Sequence, residues 1–117
     1  MTIYQIESVT IPVGDSVSMQ FEFVNSNGEI PDFTDYNAYY ILSPYGFEDE
    51  NALSKSMTLD SNTTNLFKVS LSSEDTSNLS EGAYTAKVIL ESEGNYYKKA
   101  RGVFNLVKDT TSVEVTM

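Results

Sequence analysis

The chain contains no cysteine, no histidine and no tryptophan. Without cysteine there are no disulfides, thiolate metal sites or thiol nucleophiles. Without histidine the side chain most used for proton transfer and for zinc is gone. The missing tryptophan removes the ring that sugar-binding platforms favour. No apolar run approaches the ~20 residues a membrane helix requires. The segment Met1-Thr2-Ile3-Tyr4-Gln5-Ile6 lacks the basic and apolar regions of a secretory signal, so the expectation is a soluble chain made in a cytoplasm, with no membrane partner. Residues 1–54 hold nine acids and not one lysine or arginine. All seven basic residues lie from Lys55 onward, and Lys98, Lys99 and Arg101 are bunched together.

What is present is an acidic chain of 117 residues with a formal charge of −10. That length holds one domain and buries roughly 65% of its unfolded surface, enough for a core without metal or disulfide. The net charge argues against nucleic acid, which needs a basic footprint. Its uneven distribution has two readings: a solubilising surface, or an acidic face that meets a basic neighbour, including another copy.

Short strands are punctuated by Gly, Pro, Asn and Asp at the spacing of an all-β domain. Ile3 to Ile11 reads as a first strand, closed by Pro12 and the Gly14-Asp15 turn. Val17, Met19, Phe21 and Phe23 then alternate with Ser18, Gln20 and Glu22, the clearest half-buried strand in the chain. Asn27-Gly28 turns it. After an irregular crossing, strands are expected at Ala38 to Leu42, Leu53 to Leu59 and Asn65 to Ser72. Ser72 followed by Glu74 and Asp75 predicts a helix start. Ala83–Glu91 and Tyr96–Val107 form a final hairpin, in which Gly102 is expected to mark a bulge. In Leu79-Ser80-Glu81-Gly82-Ala83-Tyr84, a glycine turn sets a tyrosine at the start of a late strand, as in a tyrosine corner.

No constellation in the sequence supplies catalysis. The glycines are scattered, so there is no phosphate loop, and without histidine no serine has an evident activating base. The carboxylate clusters Asp32 with Asp35 and Glu48-Asp49-Glu50 read as solvated loops, with calcium as the alternative. The expectation is a protein that is not an enzyme and has no cofactor. Tyr39-Tyr40 and Tyr96-Tyr97 are consecutive pairs, so one member of each points away from the core. Outward tyrosines are enriched where proteins meet partners. The candidate contact residues are therefore Tyr39, Tyr96, Tyr97, Lys98, Lys99 and Arg101. In the tail, Val113 and Val115 alternate beyond the last hairpin and read as an edge strand or one donated to a neighbour.

The order Ile11-Pro12-Val13-Gly14-Asp15, the Phe21/Phe23 strand, Asn27-Gly28-Glu29, Asp32-Phe33-Thr34-Asp35, the Tyr84 corner and Gly102-Val103-Phe104 resembles a known grammar. It is similar to the Ig-like N-terminal module of bacteriophage baseplate upper proteins, which carry receptor-binding proteins, and to related small phage tail and head modules. The crossing departs from theirs by ending in Asp35 rather than glycine. The resemblance implies an Ig-like antiparallel β-sandwich of about seven strands, with Greek-key connections, over residues 1–108 and a tail at 109–117. It also implies a structural component of a virion (baseplate, tail or head accessory) that assembles with other virion proteins as an oligomer or in host attachment. A small carbohydrate-binding module, with calcium or without, is the alternative, making a glycan the second possible partner.

Overall fold

The structure, a computed structural model, describes residues 4–47 and 50–108. Eight strands form one curled mixed sheet: β1 Tyr4–Gln5, β2 Val9–Pro12, β3 Val17–Glu22, β4 Asn37–Pro44, β5 Leu53–Leu59, β6 Leu66–Leu71, β7 Gly82–Ser92 and β8 Asn95–Val107. One short helix, α1 Ser73–Ser77, precedes β7. The spatial order is β1-β8-β7-β4-β5-β6-β3, with β2 also on β8. Strand β5 belongs to two ladders: Leu53–Met57 pair with β4, and Thr58 and Leu59 pair with β6. There the sheet folds over, so that Phe21 of β3 stacks on Tyr40 of β4 at 5.7 Å between ring centres.

The all-β expectation holds, and three details of it change. The first strand is not continuous: β1 and β2 are separate, which raises the strand count to eight. Both run parallel to β8, Tyr4 beside Ala100 and Val9 beside Phe104, so the sheet is mixed rather than wholly antiparallel. Gly102 is not the bulge. The irregularity lies where Val88 opposes Ala100 and Ile89 opposes Lys98, leaving Lys99 as the extra residue.

Gly102 instead makes room for the chain entering between β1 and β2. The Ile6 amide donates to the Arg101 carbonyl at 3.0 Å. A Cβ on Gly102 would collide with Ile6 Cγ1 and sit 2.8 Å from the Ile6 carbonyl oxygen. Backbone cannot yield as a side-chain tip can, so Gly102→Ala is expected to cost about 1–3 kcal/mol, in line with overpacking elsewhere. Urea unfolding measures it; a variant as stable as the parent would show that the N-terminal strands contribute little.

The core lies inside the curl. Alternation delivers Phe67, Val69 and Leu71 from β6 and Tyr84, Ala86, Val88 and Leu90 from β7, all buried. Ala38, Tyr40 and Leu42 from β4, Met57 from β5, Ala100, Phe104 and Leu106 from β8, and Phe23 just past β3 complete it. The Tyr84 hydroxyl donates to the Ser80 carbonyl at 2.6 Å, so the tyrosine corner is present. Helix α1 is capped as read: the Ser72 hydroxyl accepts from the Asp75 amide while the Asp75 carboxylate accepts from the Ser72 amide. Asp75 also pairs with Lys55 of β5 at 2.9 Å. The lysine and the Ser72 amide hold its carboxyl below the usual range. The β7–β8 turn needs two residues with positive φ, supplied by Glu93 and Gly94 at 53° and 81°, as a two-residue hairpin with the sheet's twist demands.

Tyr40 is 1% exposed, and burial pushes its phenol far above the ordinary value of 10.0. Burial raises Tyr84 as well. A phenol ionises by losing a proton, so the folded state keeps protons that the unfolded state releases. Stability is thus intact below the unfolded value and declines as pH rises above it, by at most about 1.4 kcal/mol per unit for each such group. Chemical-denaturation midpoints at rising alkaline pH should fall less steeply in Tyr40→Phe than in the parent. Parallel slopes would contradict the burial argument.

Candidate interaction face

Register fixes which candidates share a surface. On the face of β4, β7 and β8 turned from the core, the rungs are Asn37–Glu91–Tyr96, then Tyr39–Ile89–Lys98, then Ile41–Lys87–Arg101, then Ser43–Thr85–Val103. The structure therefore brings Tyr39, Tyr96 and Arg101 onto one face, with Lys98 at a register position on it. Tyr96 is 70% exposed and Arg101 is exposed, whereas Tyr39 is half-buried.

Tyr97 lies on the opposite face, level with Leu90. Its ring leans on Tyr36 at 6.3 Å, and Tyr36 meets Phe33 edge-on at 5.3 Å. Phe33 in turn meets Phe23 and Phe67, so Tyr97 is the outer end of an aromatic chain that begins in the core. Lys99 occupies the bulge. Val113 and Val115, with the rest of the 109–117 tail, lie outside the described residues, as do Glu48 and Asp49 of the acidic loop.

Sequence reasoning missed part of this face. Ile41, Ile89 and Val103 are half-buried there, and Ser43, Thr85 and Lys87 are buried despite alternating outward. The near-continuous apolar runs Tyr39–Leu42 and Val88–Leu90 were the available signal, since strands covered on both faces lose their alternation. Ser43 donates to the Asn51 side chain at 3.5 Å, and the Tyr45 amide reaches the Ala83 carbonyl at 3.1 Å. The loop leaving β4 is thereby folded against the end of β7. Its Tyr45 and Phe47 stand exposed.

The carboxylates do local work. Asp32 accepts from the Thr34 amide at 3.0 Å and from the Thr34 hydroxyl, and these bonds hold its carboxyl below the usual range. Glu91 accepts from Asn37 at 2.8 Å and from the Gly94 amide at 3.1 Å, which ties the hairpin end to β4. Among the described residues no cluster of three carboxylates could hold a metal ion.

No protein-family model matches the chain, and comparison with curated proteins finds no relative. Among solved structures, the N-terminal domain of phage TP901-1 ORF48 is similar at a TM-score of 0.55 and 13% identity. The match covers 92% of this chain and 86% of that one. The catalytic module of SpuA, a multi-modular glycogen-degrading pneumococcal virulence factor, is similar at a TM-score of 0.51 and 11% identity. There the match covers 75% of this chain and only 11% of that one. Its inhibitor complex gives a TM-score of 0.50, also at 11% identity, over 74% of this chain and 11% of the other. At these identities the likeness is one of fold.

Proposed function

We propose that this chain is a non-enzymatic structural module of a bacteriophage particle, made in the host cytoplasm and incorporated through protein–protein contacts. The observation that supports it most is the match to the N-terminal domain of ORF48, which runs nearly end to end in both chains. The match to SpuA, in contrast, takes up a small part of a large enzyme chain. The surface agrees with this reading. An exposed tyrosine and an arginine share a sheet face with half-buried Ile89, Ile41 and Val103, the mixture of aromatic, apolar and arginine side chains that interfaces favour. Charge sets orientation, since residues 1–54 hold nine acids and no lysine or arginine and meet basic partners best.

The test is incorporation. Particles induced from the genome that encodes the chain, purified by density and analysed by mass spectrometry, should contain it in fixed stoichiometry. Gold-labelled antibody should mark one location on them. Particles that assemble fully and lack the chain would refute the reading.

The carbohydrate-binding alternative draws on the SpuA likeness and on Tyr96. A sugar platform needs neighbouring exposed rings, and Tyr97 is turned to the other face against Tyr36. Titration with glucans and bacterial wall polysaccharides separates the two readings: saturable binding lost in Tyr96→Ala would favour the glycan.

A further inference from the structure

The two edges of the sheet are not alike. One is guarded in the ways natural edges are guarded: β1 and β2 are two and four residues long, broken between Gln5 and Val9, and β2 ends in Pro12. The other edge is β3. It pairs with β6 through six consecutive residues, Val17 opposite Leu71 to Glu22 opposite Leu66, without a bulge. Among the described residues nothing pairs with its far side. It contains no lysine and no proline. In a constant-type Ig domain the first strand would lie there; here that strand has gone to β8 and left the place open. Beside the open edge runs a cleft of about 530 Å³ between Ile6, Glu7 and Val9 and residues 19–23, the second half of β3 and Phe23 just past its end.

We infer that the free edge of β3 is an interface for the β3 edge of a second copy, the two strands pairing antiparallel about a two-fold axis at Gln20. The side chains are self-complementary in that register. Directly opposed residues share a face, so Met19 meets Phe21 of the other copy, Val17 meets Phe23, and Gln20 meets Gln20. Glu22 meets Ser18, and no two acids oppose each other. Val17, Met19 and Phe21 are half-buried in the single copy, whereas Ser18, Gln20 and Glu22 are exposed. Pairing would therefore extend the apolar stripe inside and the polar stripe outside. Main-chain bonds would supply the affinity, as in other strand-addition interfaces. Each copy carries a formal charge of −10, so association should strengthen as salt screens the repulsion. The inference rests on the fold alone and stands or falls separately from the virion reading.

The full chain has no cysteine, which makes cross-linking clean. Under mild oxidation Gln20→Cys should form a disulfide-linked dimer, because an axis through that position brings the two Cα atoms within disulfide range. The yield should rise with salt. Ser70→Cys, on the exposed face of the neighbouring strand, should stay monomeric. In solution the parent's average mass should climb from 13.0 kDa with concentration, while Gln20→Lys should hold it there with its β-sheet spectrum unchanged. A folded Gln20→Cys variant that remains monomeric at high salt overturns the inference, as does equal cross-linking of Ser70→Cys. So does preferential closure between the cysteines of a Gln20→Cys, Glu114→Cys double variant, which would assign the edge to the 109–117 tail.

Discussion

Phe67→Ala should reduce stability by about 3–5 kcal/mol, the cost of emptying a well-packed phenylalanine site. Phe67 is 1% exposed and sits where the aromatic chain meets the core, 6.2 Å from the Phe23 ring and 6.3 Å from that of Phe33. Phe23 closes the end of β3: its backbone N–H donates a hydrogen bond to the Asn65 carbonyl, and the Asn65 side-chain amide donates one back to the Phe23 carbonyl. Collapse around an alanine would pull this junction apart, so little of the cavity can be refilled. For a domain of this size the loss corresponds to a melting point lower by about 10–20 °C. Phe67→Leu keeps most of the volume and should cost less than half as much. A deficit in Phe67→Ala below about 1 kcal/mol would mean that the aromatic chain is not the centre of the core.

The second large effect is expected at Thr76, whose side chain is fully buried in α1. Its hydroxyl accepts from the Gly14 amide at 3.0 Å and donates to the Asp15 carbonyl at 2.8 Å, clasping the β2–β3 turn to the helix. Valine has nearly the same shape and neither bond. Thr76→Val would leave an amide and a carbonyl of the turn without their partner; Gly14 is half-buried and Asp15 exposed, so water recovers part of the loss and about 1–3 kcal/mol is expected in all. Thr76→Ser preserves both bonds and loses one methyl, about 1 kcal/mol. The order parent, serine, valine in denaturant midpoint identifies the clasp. Valine matching or exceeding serine would show the hydroxyl to be dispensable.

The sequence reveals the elements that are decided locally. Strand β3 is legible because Val17, Met19 and Phe21 alternate against polar residues, and α1 because Ser72 and Asp75 cap each other three residues apart. The corner at Tyr84 is legible because Gly82 opens the strand and the phenol reaches back only to Ser80. Pairing is another matter. Nothing in Tyr4–Gln5 or Val9–Pro12 encodes that they run parallel to a strand some ninety residues away rather than beside β3. Alternation gives a face and not a partner. Gly102 illustrates the same limit, since a glycine in a strand signals a bulge or a close approach alike. Only Ile6 lying across it decides which.

The candidate face was half legible for a related reason. Counted outward from buried Ala100 with period two, Tyr96 would point into the core and Tyr97 away from it. The extra residue at Lys99 shifts that phase, so Tyr96 is the exposed member and Tyr97 joins Tyr36. A bulge of one residue cannot be read from alternation when the residues leading into it are two tyrosines and a lysine, types found on either side of a strand. Thr85 and Lys87 alternate with Tyr84, Ala86 and Val88 and so turn from the core; their burial depends on what folds over that face.

The parallel pairing of β1 and β2 with β8 also sets an order of events. On the ribosome the partners of Tyr4, Gln5 and Val9 to Pro12 emerge some ninety residues after them, because those partners lie between residues 100 and 107. Until then the opening segment of the chain has no place in the sheet, and the hairpin β7–β8 must exist before it can dock. Closing a loop of that length has a large but slowly growing entropic cost, and contacts so distant in sequence slow folding. The nascent chain must therefore keep this early segment, apolar at Ile6, Val9 and Ile11, out of other associations until β8 has been made. Glu7 is the one charged side chain between Tyr4 and Pro12, so charge gives this apolar segment little protection while it waits.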